Sequence, residues 1–203
     1  MQENSYSKMI WFKDNYLCPD EHLEILDIGS LDKYGHYNCR NIFNHTNWNY
    51  RGLDIKKGNN VDIVLEDIYN WGEIPSKSYD VIISSFFFKY LQFFWKTMSE
   101  IKRVIKPGGQ ICIIVPSDDS NHGENGVYNN FKMNDLVNLI EYFDFKIIHK
   151  SIDEKNEPWN DICIVAVKNY DNAELKIKLN NIENKLNSFL TFKNMVNNVD
   201  FEK

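Results

Sequence analysis

The sequence predicts an α/β fold built on a mostly parallel sheet, and three observations carry that prediction. The first is the apolar run LEILDI, residues 23–28, which contains Asp27 near its end and is followed by Gly29. It reads as a strand buried on both faces, as strands are when helices cover both sides of a parallel sheet. The second is recurrence. Apolar runs over 49–55, 61–68 and 78–85 each close in polar residues, namely Asp54, Asp67 and the pair Ser84 and Ser85. The third is KPGGQICIIVPS, residues 106–117, a Pro-Gly-Gly turn feeding a fifth apolar run. In open sheets of this kind ligands bind outside the carboxyl ends of the strands, so these polar ends converge on one functional edge.

Taken in order, residues 5–17 carry Met9, Ile10, Phe12, Tyr16 and Leu17 and predict a helix packed on the sheet. After the first strand, Gly29 allows close backbone approach to a ligand, Gly35 tolerates angles other residues resist, and the free N–H groups of the turn are expected to face the crevice. The dinucleotide fingerprint G-x-G-x-x-G is absent, because Ser30 and Leu31 follow Gly29 and the next glycine is Gly35. The second strand, NYRGLDI, ends in Asp54, positioned to accept hydrogen bonds from both hydroxyls of a ribose. A first crossover helix is expected within 36–48, although its asparagines are poor helix formers; His36 and His45 read as surface residues. A third strand over 61–68 closes in Glu66 and Asp67. Residues 86–105 place Leu91, Phe94, Trp95, Met98, Ile101, Val104 and Ile105 on one helical face, with the surplus aromatics read as core. Residues 111–115 form the fifth strand, 132–142 a helix, and 145–152 with 160–168 an antiparallel hairpin in which Trp159 is structural.

With LDIGS, YRGLDI, VDIVLEDI, SYDVIISS and the EIKRVIKPGGQICIIVPS block in this order, residues 20–168 resemble the class I S-adenosylmethionine-dependent methyltransferases. Within that class DIGSLDKYGHY and GLDIKKGNNVD resemble small type 11-like enzymes associated with glycan and sugar modification. The resemblance implies a Rossmann-like seven-stranded sheet of order 3-2-1-4-5-7-6, strand 7 antiparallel, with helices on both faces. It implies S-adenosylmethionine as cofactor. Asp27 and the Gly29 turn with Ser30 and Gly35 would hold its methionine end, Asp54 the ribose hydroxyls, Asp67 and the Ile68 backbone the adenine, and Phe86 would line the methyl-transfer site; Ile55, Ser84 and Ser85 are counted with them as cofactor-binding. Two departures stand out. Lys89 and Tyr90 occupy the position of the family's Glu-His pair, and Val127, Asn129 and Asn130 replace most of an Asp and Trp-Arg-Phe cluster, of which only Phe131 remains.

The polar loop 116–130 leaves the carboxyl end of a central strand, where function is commonly grafted onto a rigid scaffold. His122 is the candidate general base, since imidazole can take an acceptor hydroxyl's proton near neutral pH. Asp118, Asp119 and His122 could also gather a divalent ion, but Asp and Asn in such loops commonly serve turns, and no metal site is assigned.

Bulk properties bound the rest. The 203 residues, 43% apolar, suffice for one full core, and the net charge of −6 without a Lys/Arg cluster argues against a nucleic-acid partner. Four cysteines without CxxC spacing read as reduced thiols in a cytoplasmic protein, and neither a membrane span nor a signal peptide is evident. A methyltransferase domain over 1–169 is thus expected, followed by a helical tail over 170–203. In the tail Leu175, Leu179, Ile182, Leu186 and Phe189 recur at heptad spacing, a short coiled-coil seam that can dock on the domain, pair with a second subunit or meet a partner. The expected activity is O-methylation of a small-molecule or glycan hydroxyl. The rival reading is a catalytically silent cofactor-binding or assembly module, and a nucleotide-dependent oxidoreductase is disfavoured by the glycine spacing.

Overall fold

A computed structural model describes residues 3–33, 35, 38–117, 129, 131–153 and 160–197. They divide into two compact units, residues 1–169 and 170–203. The first contains α1 (Glu3–Tyr16), β1 (Leu23–Ile28), α2 (Cys39–Ile42), β2 (Trp48–Asp54), β3 (Ile63–Val64), β4 (Tyr79–Ser85), a 3-10 turn (Phe87–Tyr90), α3 (Phe94–Val104), β5 (Ile105–Pro116), α4 (Met133–Tyr142), β6 (Phe145–Ile152) and β7 (Asp161–Lys168). The seven strands form one sheet in the order β3-β2-β1-β4-β5-β7-β6. The pairs among β1 to β5 are parallel, and β7 runs antiparallel between β5 and β6. The expected topology is therefore the observed one.

Side-chain alternation divides the core between the two sheet faces. Leu26, Ile28, Leu53, Ile82, Ile111, Ile113, Ile162 and Ile164 pack with Met98, Ile101, Val104, Leu136 and Ile140 of α3 and α4. Ile25, Tyr50, Val81, Ile83, Cys112, Ile114, Cys163 and Val165 pack with Met9 and Phe12 of α1 and with Cys39 and Ile42 of α2. Both faces of β1 and β4 are buried, which is why their sequences read as unbroken apolar runs.

Four expectations are corrected. The crossover helix in 36–48 is a single turn, Cys39–Ile42, capped by the Asn38 side chain, which accepts from the Asn41 N–H at 3.2 Å. Asparagine stops it almost at once, competing for backbone hydrogen bonds in non-helical geometries. The third strand is two residues long at the sheet edge, so Glu66 and Asp67 lie beyond it rather than closing it. The aromatic stretch 86–105 breaks into the 3-10 turn and α3, and Phe86 adopts a left-handed φ of 62° at the break. The Pro-Gly-Gly segment lies inside β5, where Gly108 takes φ 76° and the register against β4 shifts between Tyr79 and Val81. It is a bulge, not a turn preceding the strand.

No helix lies within the β3-to-β4 connection. Trp71 plugs it, fully buried, with its indole N–H donating to the Ile68 carbonyl at 2.8 Å. Arg103 of α3 fastens the same segment by donating to the carbonyls of Trp71 and Ile74 at 2.8 and 2.7 Å. The second unit contains α5 (Asn172–Asn197), opened by a reciprocal cap between Asp171 and Glu174.

Candidate cofactor and acceptor site

The carboxyl edge of β1, β2 and β4 brings together Asp27, Gly29, Ser30, Asp54, Ser84 and Ser85 of the residues the sequence singles out. Gly29 takes φ 78° and is packed by Phe87, whose ring occupies the space a Cβ would need. The turn's N–H groups are not free. Those of Gly29 and Ser30 both donate to the Leu53 carbonyl, at 2.8 and 3.1 Å, and that of Leu31 donates to Asp54 Oδ2 at 3.2 Å. Phosphate cradles work by aiming unsatisfied N–H groups at an anion. Here the donors are spent while carboxylates gather at the edge, which suits a ligand that carries positive charge and donates hydrogen bonds.

Asp54 stands at the end of β2, 7% exposed, with Lys56 N–H donating to its Oδ1 at 3.1 Å. One backbone bond on each oxygen fixes the carboxylate plane and leaves acceptor capacity on both. Asp27 is held from three sides. The Tyr50 hydroxyl donates to its Oδ2 at 2.5 Å, the Cys39 thiol hydrogen-bonds it, and the Arg40 charge lies nearby. Burial outweighs these and pushes the Asp27 carboxyl up to about 7, with the negative charge of Asp54 adding to the rise. Asn60, at a left-handed φ of 69°, ties the region together. Its amide donates to Ser30 O at 2.9 Å and to the Tyr50 hydroxyl at 3.1 Å, its carbonyl oxygen receives the Ser30 hydroxyl at 2.9 Å, and its Oδ1 receives Arg40 Nε at 2.9 Å. Arg40 in turn pairs with Asp62 at 2.5 Å.

The other expected residues are less alike in their surroundings. Gly35 is exposed at φ 73°, its N–H donating to Asp32 at 2.7 Å, and Ile55 is 46% exposed. Asp67 is exposed and caps its own turn, accepting from Tyr69 N–H at 2.8 Å, next to a half-buried Ile68. The Ser84 hydroxyl is committed to the Ile28 carbonyl at 3.1 Å, linking β4 to β1, whereas the Ser85 hydroxyl is buried without a partner. His122, Asp118 and Asp119 lie outside the described residues. Among the described residues no cluster of His, Cys, Asp and Glu is arranged to hold a metal.

A second polar group, missed by the sequence reading, lies at the same edge on the α1 side. Asp161, the first residue of β7, is fully buried opposite Pro116 of β5 and accepts from Ser5 at 3.1 Å through Oδ2, while its Oδ1 has no hydrogen-bond partner. Lys8 bridges Asp161 and Asp153, at 3.8 and 2.7 Å. Lys89, only 4% exposed, lies 5.4 Å from the centre of the Phe86 ring and contributes its charge at Asp161. Burial raises the Asp161 carboxyl to about 6 against the opposing pull of Lys8 and Ser5. Nothing in local periodicity marks Asp161, because its partners stand on α1, over 150 positions away. A cavity of about 600 Å³ lined by Lys77, Lys102, Arg103 and Lys168 lies away from this edge. Arg103 and Lys168 there are committed to backbone carbonyls.

The chain matches the model of a methyltransferase domain over residues 31–113. Among solved structures it is similar to 1,6-didemethyltoxoflavin-N1-methyltransferase from Burkholderia thailandensis, whose structure contains S-adenosylhomocysteine. That similarity has a TM-score of 0.65 at 14% identity and covers 83% of this chain and 80% of that one. It is similar also to an S-adenosylmethionine-dependent methyltransferase from Archaeoglobus fulgidus, at TM-score 0.63 and 16% identity over 82% and 94% of the two chains. A third is the [4+2]-cyclase SpnF, at 0.65 and 11% over 84% and 83%. A search of curated protein sequences gives no match. The fold is thus that of the class I S-adenosylmethionine-dependent methyltransferases. Within it, residues 31–113 match the methyltransferase-domain model, a stretch that includes Asp54 and Asp67 and begins after Asp27, Gly29 and Ser30.

Proposed function

We propose that the chain uses S-adenosylmethionine to methylate a hydroxyl oxygen, that of a sugar or glycan, in the cytoplasm. The observation that carries the cofactor reading is the glycine turn with its N–H donors spent and the carboxylates of Asp54 and Asp27 behind it. S-adenosylmethionine brings a sulfonium-activated methyl group, an ammonium and a ribose diol, all of which favour carboxylates over phosphate-type donors. In this reading Asp54 accepts from the ribose hydroxyls, Asp27 faces the ammonium, and Asp67 with the Ile68 backbone recognises the adenine. The protein's contribution to methyl transfer is chiefly alignment of donor and acceptor. His122 is the proposed base for the acceptor proton. All four cysteines are free thiols, as a reducing compartment requires.

The test is calorimetric titration with S-adenosylmethionine. Wild-type protein is expected to bind saturably. Asp54→Ala, which loses two charge-assisted hydrogen bonds, is expected to bind about 100-fold more weakly. Transfer of labelled methyl groups to a panel of methyl glycosides then tests the acceptor. Absence of binding by folded wild-type protein would overturn the enzyme reading. A silent module is the alternative, and Phe87 packed on Gly29 together with Lys89 at the Glu-His position favours it; it predicts cofactor binding without transfer to any acceptor.

A further inference from the structure

The tail helix α5 leaves an apolar seam exposed. Leu175, Leu179, Ile182, Leu186 and Phe189 are between 49% and 63% exposed. Their spacing of 4, 3, 4 and 3 is that of the alternating d and a positions of a heptad, so all five lie along one stripe of the helix. Burying such a stripe against solvent-exposed neighbours in its own helix is impossible. It needs a second surface of matching period, and another copy of the same helix supplies one.

The charges beside the seam choose between the ways two copies can lie. With Leu179 and Leu186 at a, the g positions hold Lys178 and Lys185, and the e positions hold Lys176 and Glu183. In a parallel, in-register pair each g residue faces the e residue five positions further along the other chain. Lys178 then meets Glu183, twice by symmetry. In an antiparallel pair g faces g and e faces e, so that the attraction of Lys176 for Glu183 is offset by Lys178 standing against Lys185. All four seam-flanking residues are exposed and able to reach across. Lys178 now donates to the Tyr170 hydroxyl at 2.6 Å, a surface contact that can be exchanged at little cost.

We propose that the tail is a self-association helix whose occupant is the tail of a second copy of this chain, parallel and in register, with Lys178 and Glu183 setting the orientation. The proposal stands independently of the chemistry of residues 1–169. Two heptads bury little area, so the association is of moderate strength and shifts with concentration.

Sedimentation equilibrium of the full chain across about 5 to 200 µM tests it. Wild type is expected to pass from monomer to oligomer within that range. Glu183→Lys, a surface change that sets like charges at the crossing pair, is expected to weaken association about 10-fold, and the exchange Lys178→Glu/Glu183→Lys to restore it. Orientation is read from a Cys18→Ser/Asn172→Cys chain. Position 172 is the a position preceding Leu175, and oxidation there joins two chains only if they are parallel and in register. A monomeric wild type, association indifferent to Glu183→Lys, or association without the 172–172 disulfide would each overturn the proposal.

Discussion

The Asp27 carboxyl bears on stability and, in the proposed reading, on cofactor binding at a single residue. Its native value, about 7, lies above the ordinary 3.8, so between those values the folded state binds more protons than the unfolded one. Folding stability contributed by this group is therefore fully present below the ordinary carboxylate range and is lost as pH rises toward 7. Asp27→Asn keeps the volume and the acceptor for Tyr50 but removes the buried charge. It is expected to stabilise the free protein by about 1 to 3 kcal/mol at pH 8 and to flatten the stability profile between pH 4 and 7, by urea denaturation, while abolishing cofactor binding. Tyr50→Phe deletes the donor that holds the carboxyl down. The pH at which S-adenosylmethionine affinity falls off is then expected to move upward from about 7, as read by calorimetry across pH 6 to 9. Charged groups facing Asp27 are Arg40 on α2 and Asp54 at the end of β2, and neither is altered by this substitution. An unmoved profile would assign Tyr50 a packing role only.

At the scale of elements, the connection between β3 and β4 crosses between parallel strands without the helix such crossovers commonly contain, and Trp71 with Arg103 fills and fastens it. Arg103→Ala removes the side-chain donor of the Ile74 carbonyl and leaves the Trp71 carbonyl with the Ile74 N–H alone, and is expected to cost about 1 to 3 kcal/mol, measured by chemical denaturation. It also loosens the segment bearing Asp67 and Ile68, so the adenine end of the proposed site should weaken with it. The stretch of β2 around Gly52 is less forgiving. A Cβ there would collide with the Asn60 backbone carbonyl, which cannot retreat without giving up the bonds to Ser30, Tyr50 and Arg40. Gly52→Ala is expected to destabilise by about 4 kcal/mol or more, as strain inside a buried network does, and to release Asp27 from its hydrogen-bonded setting.

Over the whole molecule, two compact units follow one another in the chain, and the proposed chemistry belongs to the first while the exposed seam belongs to the second. A chain ending at Asn169 is accordingly expected to retain the calorimetric affinity of the full protein for S-adenosylmethionine and to sediment as a monomer at every concentration. Loss of affinity in that variant would mean that the tail takes part in the site. The fold accommodates both methyl transfer and the cyclisation of SpnF. Activity therefore has to be argued from side chains at the carboxyl edge and not from the sheet.

Strand identity, the parallel sheet and the polar edge are legible in residue order, because period and burial are local: an apolar run with an acidic end looks the same whatever its neighbours. Asp27, Asp54 and Gly29 are legible for the same reason. Short range is also where that legibility stops. That the third strand is two residues long, and that Trp71 and Arg103 hold the chain after it, is seen only in the folded chain. The raised carboxyl of Asp27 depends on Tyr50 and Cys39 arriving from other elements, and the Asp161 cluster depends on α1 crossing the end of β7. Burial and pairing between distant residues set the electrostatics of a site, and both exist only once the register of the sheet brings those residues within hydrogen-bond reach.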